Sequence, residues 1–367
     1  ELSKANVLTV VAQSSTRQYA GITRPFSEIA HELNDVNYII DGTIILENDS
    51  IKTGIRLINP VEGRVVWNQD YEQGISSTRQ LWAQVAQDIT QIMGVFVPEE
   101  NTALWTGIKP VDPENYALYL KGMYAIEKIP PDIELGISYF NEAIEKNPAD
   151  AYAWSGLATA YITYGHSPSP TKDVRDKANE AALKAIQLDS TLAQAWSVYG
   201  MVMAYYEWNW EAAEKAYLKA NELNPSLPWN HFHYSWYLAL FGRMNEAIRE
   251  HKLAQELDPF GFAHTRWLAA LYMGVGEYEK AMKEAERVID MGYEAYVKDI
   301  LADCYFQMGR ENEAIEMHEQ LVADFGVPKG NLAGCYVKVG RIEEAWEIFN
   351  EFLAKIDSIP SPGEALG

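Results

Sequence analysis

Two histidines in the stretch "WNHFHYSWY" come nearest to a metal-binding arrangement. His231 and His233 form an H-x-H pair, which on a β-strand would direct both imidazoles to one ion. On an α-helix, residues two apart point about 200° away from each other, so both rings cannot readily face one ion. Because the surrounding pattern is helical, we interpret both rings as packed between helices and predict no metal site.

The sequence lacks the short motifs that carry phosphate or acyl chemistry. It has no G-x-x-x-x-G-K-[ST] loop, no G-x-G-x-x-G after a predicted strand and no G-x-S-x-G turn. Its many carboxylates, as in "EKAMKEAERVID", lie at i, i+4 spacing from basic residues, which is typical of a solvated helix face. We therefore predict no catalytic residues, no cofactor and no enzymatic activity.

The two cysteines, Cys304 and Cys335, each precede a tyrosine in successive copies of a repeated pattern. Equivalent positions on stacked helices lie about 8–10 Å apart, whereas a disulfide tolerates roughly 7 Å between Cα atoms. We predict two small buried thiols without a catalytic or metal-binding role. Unpaired thiols favour a reducing compartment.

A phrase that recurs four times identifies the elements around these residues. The copies "FGRMNEAIREHKLA", "VGEYEKAMKEAERV", "MGRENEAIEMHEQL" and "VGRIEEAWEIFNEFL" each place an alanine five residues after a glycine. The glycines, at positions 242, 276, 309 and 340, are 34, 33 and 31 residues apart. Each copy predicts a helix, a short glycine turn and a second helix. A period near 34 with this pattern is the signature of tetratricopeptide repeats.

The repeats extend upstream and give a mostly α-helical chain. We predict about seven helix-turn-helix units over residues 113–356, stacked into a right-handed superhelix because no single unit can bury its apolar face alone. Two places depart from the pattern: an insertion, "GHSPSPTKDVR", and the short first helix of the last unit, "KGNLAGCYVKVG". Residues 357–367 are expected to form a tail.

Residues 1–98 follow a two-residue periodicity instead. "NVLTVVAQSS" predicts a strand and "PFSEIAHELND" a helix, and "NYIIDGTIILEND", "SIKTGIRLINP" and "GRVVWNQDYEQ" predict three antiparallel strands. "TRQLWAQVAQDITQIMGVF" predicts a closing amphipathic helix. The order β-α-β-β-β-α describes a small α+β domain with mainly antiparallel strands, and residues 99–112 would link it to the repeats.

Residues 34–73 resemble the TolB-like amino-terminal domain that precedes tetratricopeptide repeats in bacterial winged-helix regulators and adenylate cyclases. The similarity lies in Asp41-Gly42-Thr43 after a hydrophobic strand and in Trp67 and Tyr71 of a later strand. "YYEWNWEAAEKAYLKANELNP" also resembles the "DWDW" repeat of those proteins. The resemblance implies that a first strand and most of a first helix lie upstream of "ELSKANVLTVV". It also implies an effector domain elsewhere, with this chain as the regulatory or sensory half.

The same resemblance implies a partner-binding groove lined by the first helix of each repeat. Trp and Tyr side chains in such a groove are strong anchors for a partner. The Lys/Asn/Arg clamp for carboxylate tails of chaperones is not evident, so an apolar and basic segment suits the groove better. Transferring the family's groove positions gives Tyr152, Ser155, Thr159, Gln194, Ser197, Met201, Tyr205, Trp229, Phe232, Trp236, Arg266, Tyr296, Asp299, Asp303 and Phe306.

Charge and hydropathy limit the partners. The net charge of −22, without a basic stripe, disfavours direct contact with nucleic acid. No apolar run approaches the roughly 20 residues of a membrane span. We expect a protein or peptide partner, homo-oligomerisation through the α+β domain, and a cytoplasmic location. A periplasmic location behind an upstream membrane anchor is the alternative.

A second function remains open at this point. The chain could sense a small molecule in a pocket at the junction of Trp67, Trp105 and the first repeats, because domain junctions are common pocket sites. A well-formed apolar cavity there would favour sensing, and a filled junction would favour partner binding.

Overall fold

A computed structural model describes residues 2, 8–95, 97, 112–128, 131–165, 172–325 and 330–357. The chain divides into two compact units. The first comprises Glu1–Phe241 with Leu253–Pro259, and the second comprises Gly242–Lys252 with Phe260–Gly367.

The predicted first strand is wrong. Residues 8–12 have no strand pairing, and a short helix, α1 (Gln13–Thr16), follows them. Within residues 8–12, the Val10 and Ala12 N–H groups donate to helical repeats rather than to a sheet. The predicted second element is confirmed as α2 (Phe26–Glu32).

The three antiparallel strands are confirmed. β1 (Ile39–Glu47) pairs with β2 (Ser50–Asn59), and β2 pairs with β3 (Arg64–Gly74). Asn48 and Asp49 adopt positive φ values of 45° and 64° in the turn between β1 and β2. Asn and Asp tolerate this left-handed conformation better than other non-glycine residues, which fixes the hairpin at this point.

One face of the sheet forms a core with helix α3 (Thr78–Ile92). The alternate residues Ile51, Ile55 and Leu57 of β2 are buried against Leu81, Val85 and Ile89, which recur every four residues on α3. The buried side chains alternate along the strand and recur about once per turn along α3, so the apolar face of each element packs against the other. This packing confirms the predicted amphipathic helix.

Seven consecutive helix pairs follow within the described residues, which confirms the mostly helical architecture and the number of repeats. The helices are α4 (Pro113–Glu127), α5 (Ile133–Lys146), α6 (Ala151–Gly165), α7 (Lys172–Leu188), α8 (Ala193–Tyr205), α9 (Trp210–Leu223), α10 (Pro228–Leu240), α11 (Met244–Leu257), α12 (Phe262–Gly274), α13 (Tyr278–Asp290), α14 (Lys298–Gln307), α15 (Glu311–Phe325), α16 (Gly330–Lys338) and α17 (Ile342–Asp357).

The recurring glycine and alanine have distinct structural roles. The four turn glycines adopt φ values between 70° and 83°, the left-handed conformation that ends a helix most easily when no Cβ is present. Ala247, Ala281 and Ala314 are fully buried and Ala345 is nearly so. A methyl group at these positions lets neighbouring helices approach closely, which explains why the phrase recurs.

Glycines inside the first helices make room for large rings. Tyr217 of α9 is fully buried, and a Cβ at Gly200 of α8 would lie 2.7 Å from its ring. Phe140 of α5 occupies the same kind of space, because a Cβ at Gly122 or Gly156 would lie 2.5 or 2.3 Å from it. These close approaches hold the early helix pairs together.

Candidate functional site

The residues predicted to contact a partner lie on α6, α8, α10, α12 and α14, except Tyr296, which lies in the turn Glu294–Tyr296 before α14. Ser155, Ser197 and Met201 are only 4%, 4% and 6% exposed, so they offer almost no surface to a partner. The other twelve retain accessible surface: Tyr152, Thr159, Gln194, Tyr205, Trp229, Phe232, Trp236, Arg266, Tyr296, Asp299, Asp303 and Phe306.

An aromatic cluster forms where α8 and α10 meet, and it consists of Tyr205, Trp229, Phe232, His233 and Trp236. The Tyr205 and Trp236 rings are perpendicular, with centroids 4.6 Å apart. Trp229 contacts Phe232 edge-on at 5.3 Å and stacks on His233 at 5.9 Å. Trp229 is 44% exposed, so the cluster combines a rigid base with an open indole.

His233 belongs to this cluster, although sequence reasoning gave it only a packing role. Its Nδ1 lies 2.8 Å from the Tyr205 hydroxyl, a contact that links α10 to α8. Burial raises the pKa of Tyr205 above its usual value, so that hydroxyl keeps its proton. The neighbouring His231 places Nε2 2.8 Å from the carbonyl oxygen of Pro225. Both rings are buried, which confirms that they pack between helices.

Tyr152 on α6 is held by residues that sequence reasoning did not identify. The Arg79 guanidinium of α3 lies 5.0 Å from the centre of its ring, and an Arg79 nitrogen lies 3.3 Å from its hydroxyl. Tyr119 of α4 contacts the same ring edge-on at 5.4 Å. The helix that follows the sheet therefore touches the first repeats at a predicted groove residue.

The predicted acidic residues of the second unit have partners. Arg266 of α12 pairs with Asp299 of α14 at 2.9 Å and also donates to the carbonyl oxygen of Tyr296. Asp303 accepts from the Asn331 amide at 3.1 Å, and His318 lies 3.2 Å from the same carboxylate. These contacts fix the direction of each carboxylate.

Phe306 lies beside these acids and is contacted by a basic group. The Lys338 ammonium of α16 lies 4.9 Å from the centre of the Phe306 ring. This distance falls within the cation–π range. The second unit thus places an aromatic ring and an oriented carboxylate on neighbouring turns of α14.

Residues 8–17, which we call the amino-terminal strap, lie against the repeats of the first unit. The Ala12 N–H donates to the carbonyl oxygen of Leu257 at 2.6 Å. The Val10 N–H donates to the Ser226 hydroxyl at 3.4 Å. Backbone groups that a sheet would have paired are therefore satisfied by the ends of the repeats.

Two side chains of the amino-terminal strap also contact the repeats. The Ser15 hydroxyl donates to the Asp258 carboxylate, and both residues are almost fully buried. The Arg17 guanidinium then lies 5.5 Å from the centre of the Tyr124 ring on α4. The amino-terminal strap thus contacts three repeats, and its sequence gives no signal for this.

Of the two tryptophans of the proposed junction pocket, Trp105 lies outside the described residues. Trp67 is partly buried and packs against the core of the sheet and α3, with its ring 6.5 Å from Tyr71. Tyr71 in turn donates to Asp88 of α3 at 2.6 Å.

Both cysteines are free and buried, as predicted. Burial raises the pKa of the Cys304 thiol to about 11 and also raises the pKa of Cys335. Thiols with raised pKa values are poor nucleophiles at neutral pH. Among the described residues, no group of three or more His, Cys, Asp or Glu side chains could hold a metal ion.

Comparison with solved structures identifies the fold of the repeats. The crystal structure of the APC/C hetero-tetramer Cut9-Hcn1 is similar to this chain, with a TM-score of 0.53 and 15% identity. The superposed region covers 73% of this chain and 49% of that chain. The repeats have the tetratricopeptide-repeat fold. No family model matches the sequence. None of the described helices is long and apolar enough to cross a membrane.

Two curated proteins are similar to part of this chain. "Putative adenylate cyclase 3" of Rhizobium meliloti (strain 1021) is 25% identical over 126 residues, 34% of this chain and 21% of that protein. "Transcriptional regulator HilA" of Salmonella typhimurium is 23% identical over 144 residues, 39% of this chain and 26% of that protein. The matches thus span about a fifth to a quarter of these relatives.

Proposed function

We propose that this chain is a non-enzymatic protein-interaction module, the regulatory or sensory part of a bacterial signalling or transcriptional regulator. It binds a peptide or protein on the surface formed by the first helices of its tetratricopeptide repeats. The supporting fold is a scaffold of helix pairs, a class that presents extended binding surfaces.

The observation that carries this proposal is the aromatic cluster. Trp229 is 44% exposed and is held in place by an edge-on contact with Phe232 and a stacked contact with His233, so it offers an apolar indole in a fixed position. A rigid aromatic group loses little conformational entropy when a partner binds, which is why Trp and Tyr dominate binding energy at interfaces. Trp236 and Tyr205 extend the same surface along α8 and α10.

The regulatory context is suggested by the two relatives. One is named as an adenylate cyclase and the other as a transcriptional regulator, and the matched region is a small part of each. Similarity of this chain to a small part of proteins with different activities is expected when the chain supplies recognition rather than catalysis. We propose a cytoplasmic location and no direct contact with nucleic acid, in keeping with the net charge of −22.

Affinity capture with three forms of the chain tests the proposal. The immobilised wild type, the Trp229→Ala variant and a Trp208→Ala control are exposed to a lysate of the source organism, and captured proteins are quantified by mass spectrometry. Trp208 is 69% exposed in the turn between α8 and α9, outside the cluster, so it is a tryptophan with even more exposed surface than Trp229, which is 44% exposed. Circular dichroism establishes that all three forms fold equally.

The expected result is a protein captured by the wild type and by Trp208→Ala but depleted with Trp229→Ala. Loss of an interface tryptophan typically costs 2 kcal/mol or more, roughly a thirtyfold loss of affinity. Equal capture of every protein by all three forms would reject the aromatic cluster as the binding surface.

A further inference from the structure

A cavity of about 440 Å3 lies in the second unit, bordered by α12, α13, α14 and α16. Asp303 and Phe306 of α14 line one wall, and Gly330, Asn331 and Gly334 of α16 line the other. Gly330 and Gly334 are one helical turn apart, and a Cβ on either would meet no atom within 4 Å. The cavity therefore exists because α16 presents backbone where a side chain would otherwise project.

The Asp303 carboxylate supplies the charge of this cavity. Its side chain is 30% exposed, and the Asn331 amide holds both oxygens at 3.1 and 3.2 Å. His318, which is buried, lies 3.2 Å from one oxygen. A carboxylate has about four acceptor sites, so these two groups leave sites for a further donor. The carboxylate is oriented in advance, which lowers the entropy cost of accepting from a ligand.

Phe306 supplies an aromatic surface one turn from Asp303. The Lys338 ammonium already lies 4.9 Å from the centre of this ring, which shows that a cation is accommodated there. Lys338 also means that an incoming cation must compete with this flexible side chain for the ring. An oriented carboxylate beside an aromatic ring is the combination that a planar guanidinium satisfies best, because it can donate in a fork and stack at once.

We propose that this cavity receives an arginine side chain from a partner polypeptide bound to the repeats. The guanidinium donates to Asp303 and lies against Phe306, and the alkyl stem passes over Gly334. This inference rests on the proposed function and adds a recognised residue type to it. The net charge of −22 favours approach of a basic segment over an acidic one.

Fluorescence polarisation with the whole chain tests the proposal. The probes are fluorescein-labelled ten-residue peptides of Ala, Leu and Ser that carry one central arginine, citrulline or glutamate. Citrulline matches arginine in shape but is neutral. We expect the arginine peptide to bind roughly tenfold more tightly than the citrulline peptide, the effect of one charge-assisted pair, and the glutamate peptide to bind least.

Four variants assign the effect to the cavity. Asp303→Asn should remove the preference for arginine over citrulline. Gly334→Met should fill the open space and abolish binding of the arginine peptide, whereas Val337→Met, on an exposed position of the same helix, should not. Lys338→Ala should increase affinity for the arginine peptide, because it removes the competing cation.

Equal binding of the arginine and citrulline peptides, no binding of any peptide, or arginine binding that survives Gly334→Met would each overturn the inference. If Gly334→Met does not fold, Asp303→Asn decides alone. These outcomes are separate from the proposed function, whose test depends on Trp229 in the other unit. Partner capture that needs Trp229, together with no preference for arginine, would reject the cavity and leave the proposed function standing.

Discussion

At the scale of single residues, the packing of the helices depends on a few glycines where an added Cβ atom would either clash with a neighbour or enter open space. Gly200 and Gly334 are both helical glycines, and only their surroundings differ. A Cβ at Gly200 would lie 2.7 Å from the buried Tyr217 ring, whereas a Cβ at Gly334 would enter open space. The sequence shows two glycines in predicted helices and does not distinguish them, because the difference is made by a neighbouring helix.

Substitution of these two glycines should therefore have opposite effects on stability. Gly200→Ala should lower the free energy of unfolding by roughly 1–2 kcal/mol, because overpacking outweighs the gain in helix propensity. Gly334→Ala should raise it by up to about 1 kcal/mol. Urea denaturation followed by circular dichroism measures both. Changes of the same sign in the two variants would contradict the packing described here.

A buried histidine pair makes stability depend on pH. His251 is fully buried, and its Nε2 lies 2.6 Å from the carbonyl oxygen of His264, also fully buried. Burial, with a smaller contribution from His264, lowers the pKa of His251 to about 3 from its usual 6.5. The unfolded chain therefore binds a proton below pH 6.5 that the folded chain excludes, and folding is disfavoured as the pH falls toward 3.

The stability lost through His251 should approach about 1.4 kcal/mol per pH unit below pH 6 and be absent above pH 7. A His251→Gln variant keeps a donor for the His264 carbonyl and does not titrate, so the wild type should lose stability relative to it as the pH falls. The measurement is urea denaturation at pH 5 to 8. His31→Gln, at an exposed histidine, is the control: Asp35 raises the pKa of His31, so any stability that His31 contributes is lost as the pH rises and not as it falls. Parallel pH curves for wild type and His251→Gln would show that His251 is protonated normally in the folded chain.

At the scale of elements, the repeats could be predicted and the first strand could not. The Gly turn and the buried alanine recur at fixed spacing because each helix pair solves the same packing problem. Residues 8–12 show the alternation of a strand, but alternation records only that one side is buried and not what buries it. In the structure, the backbone N–H groups of Val10 and Ala12 bond to the repeats instead of to a neighbouring strand.

The strap depends on the buried contact between Ser15 and Asp258. Ser15→Ala removes the hydroxyl that donates to this carboxylate, a loss of about 1–3 kcal/mol for a buried charged acceptor. We expect faster hydrogen–deuterium exchange at the Ala12 amide, which donates to Leu257, and faster tryptic cleavage after Arg17. Ser14→Ala changes an exposed neighbour and should leave both rates unchanged. Identical rates in the two variants would mean that the strap does not depend on Ser15.

At the scale of the whole chain, the family resemblance placed the proposed groove residues on the first helices but gave neither their burial nor their contacts. Transfer of the family's groove positions placed Trp229 on a first helix, and the structure leaves it accessible. The same transfer placed Ser155, Ser197 and Met201 on that surface, yet they are buried, because a repeat position gives the direction of a side chain and not its depth of burial. The Arg79–Tyr152 and His233–Tyr205 contacts each join two helices that are far apart in sequence, so no local pattern predicts them.

The central claim is that a partner binds over the aromatic cluster, and site-specific photo-crosslinking in living cells tests it most directly. A benzophenone amino acid replaces Trp229 in one form of the chain and Trp208, which is more exposed, in another. We predict a crosslinked protein product at position 229 that is absent at position 208. Crosslinks at both positions in equal yield would contradict the claim. Crosslinks at neither position, when the chain is produced and folded in the cell, would also contradict it.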